Sequence, residues 1–243
     1  MKQQKQATQL RMKLRKSKQN NFMQKDKRWV WLLTAGILTA VFVALTLVIK
    51  FVDVGVDGAV EVGCATINFW WRDLVGTHQV WHLISDVCAG IVLLALGAVL
   101  VWQLILICRR KSWRGLARTW WAFNLALVIL GLGYVFFQIV VINYRPLLVD
   151  GVQEAAYPSS HVLLLATVCP LLISAVGRTL SVNVWRCVIT IASWLIMLLG
   201  IVARVLSGYH WLTDSFGAIC FSIVILAWYQ VLRCFMTCQE FSE

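Results

Sequence analysis

Residues 29–49 read WVWLLTAGILTAVFVALTLVI, 21 residues without a charged side chain, set between Arg28 and Lys50. A helix of that length rises roughly 30 Å, the thickness of a bilayer's hydrocarbon core. The rest of the chain repeats the pattern. Further apolar runs cover Val80–Cys108, Trp120–Ile142, His161–Val176, Val188–Val205 and Trp211–Phe235, the fourth being the shortest. Hydrophobic residues make up 60% of the 243 and charged residues 14%, with a mean hydropathy of +0.76. Soluble domains carry far more charge, and disordered chains far less apolar surface. The sequence therefore predicts an all-α, polytopic membrane protein with six transmembrane helices. A cleaved signal peptide is the competing reading of the first run. The long basic segment before it, its length, and the lack of a small-x-small site after it favour a retained span.

The net charge is +11, yet nucleic acid is not the expected partner. Ten of the 22 basic residues lie in the first 28 positions, and most others sit in short gaps between apolar runs. No folded basic face remains once the spans are set aside. Residues 1–28 read as a tail that is disordered or lies on anionic membrane lipids, and residues 29–243 as the membrane domain. With six spans both termini share a side. That side receives 18 basic residues, while Lys50, Arg72, Arg145 and Arg204 fall on the other. The positive-inside rule then puts both termini of a cell-membrane protein in the cytoplasm. The eight cysteines contain no CxxC pair and read mostly as small apolar filling.

Residues 50–79 form a mixed loop, with Phe69, Trp70 and Trp71 marking a short helix in the membrane interface. His78, His82 and Asp86 follow at four-residue spacing. On a helix they make a polar stripe, read as an interfacial surface or a wall of a headgroup pocket, with a metal site as the alternative. The surface or wall reading is preferred to the metal site.

A second set of polar residues gathers at the outer ends of the later spans: Arg145-Pro146, then Pro158-Ser159-Ser160-His161, then Arg204 to Asp214 with His210 between. His210 and Asp214, four apart, share a face if helical. A carboxylate on one imidazole nitrogen fixes the tautomer and leaves the other nitrogen nucleophilic. Ser159 and Ser160 open a span, where a helix N-terminus offers N–H groups to an anion. Arg145 and Arg204 bring planar forks suited to phosphate oxygens. Together these parts suit phosphoryl transfer by side chains, with charge stabilised by arginines and backbone N–H groups. No acidic cluster with metal-ligand spacing accompanies them, so no metal or other cofactor is expected.

On these residues the chain resembles the type 2 phosphatidic-acid phosphatase superfamily of membrane lipid phosphatases. That family carries a Lys, six residues, then Arg-Pro; a Pro-Ser-Gly-His; and a Ser-Arg, five residues, His, three residues, Asp. The order of the motifs and the spacing within the second and third match, most tightly over residues 138–214. The resemblance implies His210 as the nucleophile forming a phosphohistidine and Asp214 as its orienting carboxylate. It implies His161 as the acid for the departing group. Arg145, Arg204, Ser159 and Ser160 would cradle the phosphate. It implies an enzyme whose substrate is a phosphorylated membrane lipid, with an active site at the extracytoplasmic face. Undecaprenyl pyrophosphate is the leading expectation; phosphatidylglycerophosphate and phosphatidic acid are the others.

Three positions depart from the pattern. Gln138 stands at the family lysine, Ala203 at the serine and Ser160 at the glycine. The first removes a charge and the second a donor. Two alternatives follow: a lipid-linked phosphotransferase, or a catalytically weakened protein that binds lipid phosphate.

Overall fold

The computed structural model describes residues 28–58, 60–110, 118–148, 151–179 and 183–239. The tail over residues 1–27 and Asp150 lie outside them. In chain order the elements are α1 (Arg28–Phe51), β1 (Gly55–Asp57), β2 (Val60–Val62), α2 (Ala65–Val75) and α3 (Gln79–Arg110). Then come α4 (Arg118–Ile139), α5 (Ser160–Thr179), α6 (Val184–Leu206) and α7 (Leu212–Gln239). Six of the helices are long and apolar enough to cross a membrane, with mean hydropathies of 1.9 to 2.8 in their best windows. The chain is thus a multi-pass membrane protein, with six membrane-length helices among the described residues.

Half of the best window is buried in α5 and α7, against 22% or less in the other four. α5 and α7 therefore form the centre. α5 packs on α6 and α7, α3 on α6, and α4 on α7. The main core joins Phe123, Leu163, Leu165, Leu171, Met197 and Ile225, with Cys88 and Cys169 as small buried filling. Two hydroxyls inside it find partners, as a span favours. Thr167 Oγ1 donates to Ser222 Oγ at 3.1 Å, and Ser222 Oγ donates to the Ala218 carbonyl at 2.8 Å. In α1, Thr39 and Thr46 donate back to the carbonyls of Ala35 and Phe42, which hides their hydroxyls.

The predicted runs differ from the helices mainly at their ends. α6 starts four residues before the predicted Val188, because Asn183 caps it by accepting from the Arg186 N–H at 3.0 Å. α4 stops at Ile139 rather than Ile142. The carbonyls of Val141 and Ile142 turn to Lys50 Nζ, at 3.3 and 3.0 Å, at the end of α1. An amine is well placed at a helix C-terminus. The segment 50–79 does hold a helix around the aromatic cluster, α2, but also an antiparallel hairpin with Gly55 opposite Val62. Gly63 follows it with no room for a Cβ against the Ile49 carbonyl.

Candidate functional site

One end of the bundle collects every predicted site residue. The guanidinium of Arg28 lies over the Phe235 ring, so the start of α1 and the end of α7 share the opposite end. At the site end, the segment after α4 folds back on itself. Tyr144 bridges Ala155, Arg145 N–H donates to the Glu154 carbonyl at 3.0 Å, and Ala156 N–H donates to the Asn143 carbonyl at 2.8 Å. Asn143 Oδ1 accepts from Gly63 N–H, tying this arm to the hairpin. Tyr157 is fully buried and hydrogen-bonds Thr46 of α1 at 2.9 Å, its ring filling the space a side chain at Gly217 would take. The Tyr157–Pro158 peptide is cis.

The turn from α6 to α7 carries His210. Gly208 takes φ +72° there, and a Cβ on it would strike the Gly76 carbonyl. His78 N–H donates to the Ser207 carbonyl at 2.9 Å, so α2 and its exit lie against the turn. Asn68 of α2 is fully buried: it donates to Thr213 Oγ1 at 2.9 Å and accepts from Thr213 N–H at 3.2 Å. It thereby satisfies an otherwise unpaired donor in the first turn of α7.

His210 therefore precedes α7, and the expected common helix face for His210 and Asp214 is corrected to a turn and a first helical turn. Asp214 still reaches it. Its Oδ2 lies 3.5 Å from His210 Nδ1 and accepts from the Trp211 N–H at 3.0 Å. The Asp214 carbonyl accepts from Ser159 N–H at 3.1 Å, joining α7 to the start of α5. Arg204, Ser159 and Asp214 are at most 1% exposed and His210 5%. Among the described residues, several polar atoms here have no hydrogen-bond partner: Arg204 Nε and Nη1, Ser159 Oγ and Arg145 Nε. Buried donors are rarely left so unless a water, an ion or a ligand completes them. Burial, then the positive charge of Arg204 and Arg145, hold the His210 imidazole well below its ordinary pKa. It is neutral at neutral pH, the form a nucleophile needs.

Two cavities meet here. A polar one of about 330 Å³ is lined by Gln138, Arg145, Glu154, Ser160 and His210, among others. An apolar one of about 540 Å³ runs between α3, α4 and α5, lined by leucines such as Leu93, Leu96 and Leu130, and by His161. Tyr134 and Ser160 line both. Gln138, Arg145, Ser160 and His210 are thus brought to one cavity, with Arg204, Ser159 and Asp214 buried behind. His161 instead lines the apolar cavity and turns to Asp86, a residue the sequence had left in the stripe with His78. Asp86 Oδ1 is 3.0 Å from His161 Nε2 and 3.5 Å from Arg204 Nη1, and Oδ2 is 2.8 Å from His82 Nδ1. His78 does not join them; its Nε2 lies 2.8 Å from the Val75 carbonyl. Among the described residues no group of three or more His, Cys, Asp or Glu is arranged to hold a metal ion. Glu154 holds Arg145, its Oε2 3.2 Å from Nη2.

The fold is similar to that of a solved transmembrane PAP2 type phosphatidylglycerolphosphate phosphatase from Bacillus subtilis. The TM-score is 0.50 over 83% of this chain and 94% of that one, at 20% sequence identity. At that identity the likeness is one of fold. No family model matches the sequence, and no curated protein matches it.

Proposed function

We propose that the protein is a membrane lipid phosphatase acting through a phosphohistidine on His210. The observation that carries this is the set of buried, unpartnered donors on Arg204, Ser159 and Arg145 around a neutral, buried His210. Such a set matches an anion with several oxygens. The adjoining apolar cavity supports a substrate with a hydrocarbon chain, since the two cavities share Ser160 and Tyr134. His210 Nε2 attacks phosphorus while Asp214 steadies Nδ1. The bond to the lipid oxygen breaks with its electron pair leaving on that oxygen, which takes a proton from His161. Water then attacks phosphorus and returns a proton to His161, and the N–P electron pair goes back to Nε2. Arg145, Arg204, Ser159 and Ser160 hold the phosphate oxygens, with Gln138 as a neutral donor.

The sequence assigns 18 of its 22 basic residues to the side of the termini, which favours an extracytoplasmic site and a lipid pyrophosphate released there. Undecaprenyl pyrophosphate is the first substrate to try. The purified protein in detergent should release phosphate from it, or from phosphatidic acid or phosphatidylglycerophosphate, in the presence of chelator. His210→Ala should lower the rate by about 10⁴-fold or more. Equal release by the variant would sink the phosphohistidine. Tight phosphate binding without any turnover would favour the binding-protein reading, for which the uncharged Gln138 in the cavity speaks.

A further inference from the structure

Asp86 is a carboxylate inside the long apolar helix α3, eight positions into its sequence. A charge there is costly unless paired or used. Its Oδ1 is closed to solvent and faces two other helices: His161 Nε2 of α5 at 3.0 Å and Arg204 Nη1 of α6 at 3.5 Å. Its Oδ2 is occupied by His82 Nδ1 at 2.8 Å, one turn earlier on α3. The His82 ring is in turn packed edge-on against Tyr209, 4.0 Å between centroids, beside His210 in the chain. The carboxylate is thus held at Oδ2 by His82, and its Oδ1 bears on a histidine and an arginine of the candidate site.

Resting on the phosphatase reading above, we propose that Asp86 is a positioning residue for His161. With Nε2 turned to the carboxylate, the imidazole has Nδ1 on the side of the leaving oxygen. Nδ1 lies on the Ser160 side, 3.4 Å from that hydroxyl, and Ser160 lines both cavities. The Asp86 carboxylate stabilises the protonated ring before transfer. As the P–O bond breaks, the Nδ1 proton passes to the lipid oxygen and the ring becomes neutral. It regains a proton from the attacking water in the second step. His82 keeps the carboxylate from rotating toward Arg204 alone.

The leaving group separates this role from simple structural support. An alkyl lipid oxygen needs a proton to depart, whereas the phenolate of p-nitrophenyl phosphate does not. Asp86→Asn should lower kcat on phosphatidic acid by about 100-fold, the usual worth of general acid catalysis, with KM little changed. On p-nitrophenyl phosphate the loss should be under about threefold. Taking the ratio of the two substrates in one preparation removes any effect of partial unfolding. Asp86→Glu should recover part of the lipid rate, and Asp86→Asn added to His161→Ala should cost little more than His161→Ala alone. Equal losses on both substrates, no loss at all, or full additivity with His161→Ala would overturn the role of Asp86. Absence of His210-dependent release by the unmodified chain from these two substrates and from undecaprenyl pyrophosphate and phosphatidylglycerophosphate would instead overturn the phosphatase reading itself.

Discussion

Gln138 decides how much positive charge the polar cavity holds. Of the cations beside it, Arg145 is already shared with Glu154 at 3.2 Å, while Arg204 is shared with Asp86 at 3.5 Å. Gln138→Lys would replace a neutral donor by a charged one facing the same space. Charged hydrogen bonds exceed neutral ones by about 1 kcal/mol, so KM for a lipid phosphate should fall roughly fivefold, and less so in high salt. Steady-state kinetics at two salt concentrations would check it, and an unmoved KM would mean that residue 138 does not face the phosphate. Residues of this kind were legible from the sequence because spacing kept them close: His210 and Asp214 are neighbours through one turn, and Ser159 and Ser160 open one helix. Asp86 was not. Its partners His161 and Arg204 arrive from α5 and α6, and only its spacing from His82 is local.

The elements that shape the site are turns more than spans. Gly208 lets the chain reverse between α6 and α7 at positive φ while the Gly76 carbonyl presses on the position a side chain would fill. Gly208→Ala should therefore lower stability by about 1–3 kcal/mol and shift His210 away from Asp214. Gly36→Ala is the comparison: it lies in α1 with open space around it and should be neutral or gain about 0.5–1 kcal/mol. Thermal unfolding in detergent would read both, and an unchanged midpoint for Gly208→Ala would refute the close approach. The spans could be read from the sequence because apolar length alone sets them. The hairpin was missed although Asp57-Gly58 between alternating residues is a turn signal, because three-residue strands give periodicity little to count. The end of α4 was missed because the amine that takes the carbonyls just beyond it, those of Val141 and Ile142, is Lys50, 91 and 92 residues earlier.

At the scale of the whole molecule, the sequence divides its 22 basic residues into 18 in segments assigned to the side of the termini and four assigned to the other, so the bundle should insert with the site outward. A cysteine at Asp73→Cys, exposed on α2, in a chain whose eight native cysteines are replaced, should react with a membrane-impermeant maleimide in intact cells. A tag at either terminus should stay protected until the cells are opened, and the reverse pattern would invert the protein. The central position of α5 and α7 has a bearing on biosynthesis as well. His161 stands at the head of one of these helices, and Asp214 at the head of the other, with His210 in the turn before it. Every earlier helix can enter the bilayer while translation continues, yet α4 and α5 then lack α7, on which both pack. A chain arrested before α7 would hold His161, Arg145 and Arg204 without the Asp214 carboxylate beside His210, a product for quality control to degrade rather than a partly working site.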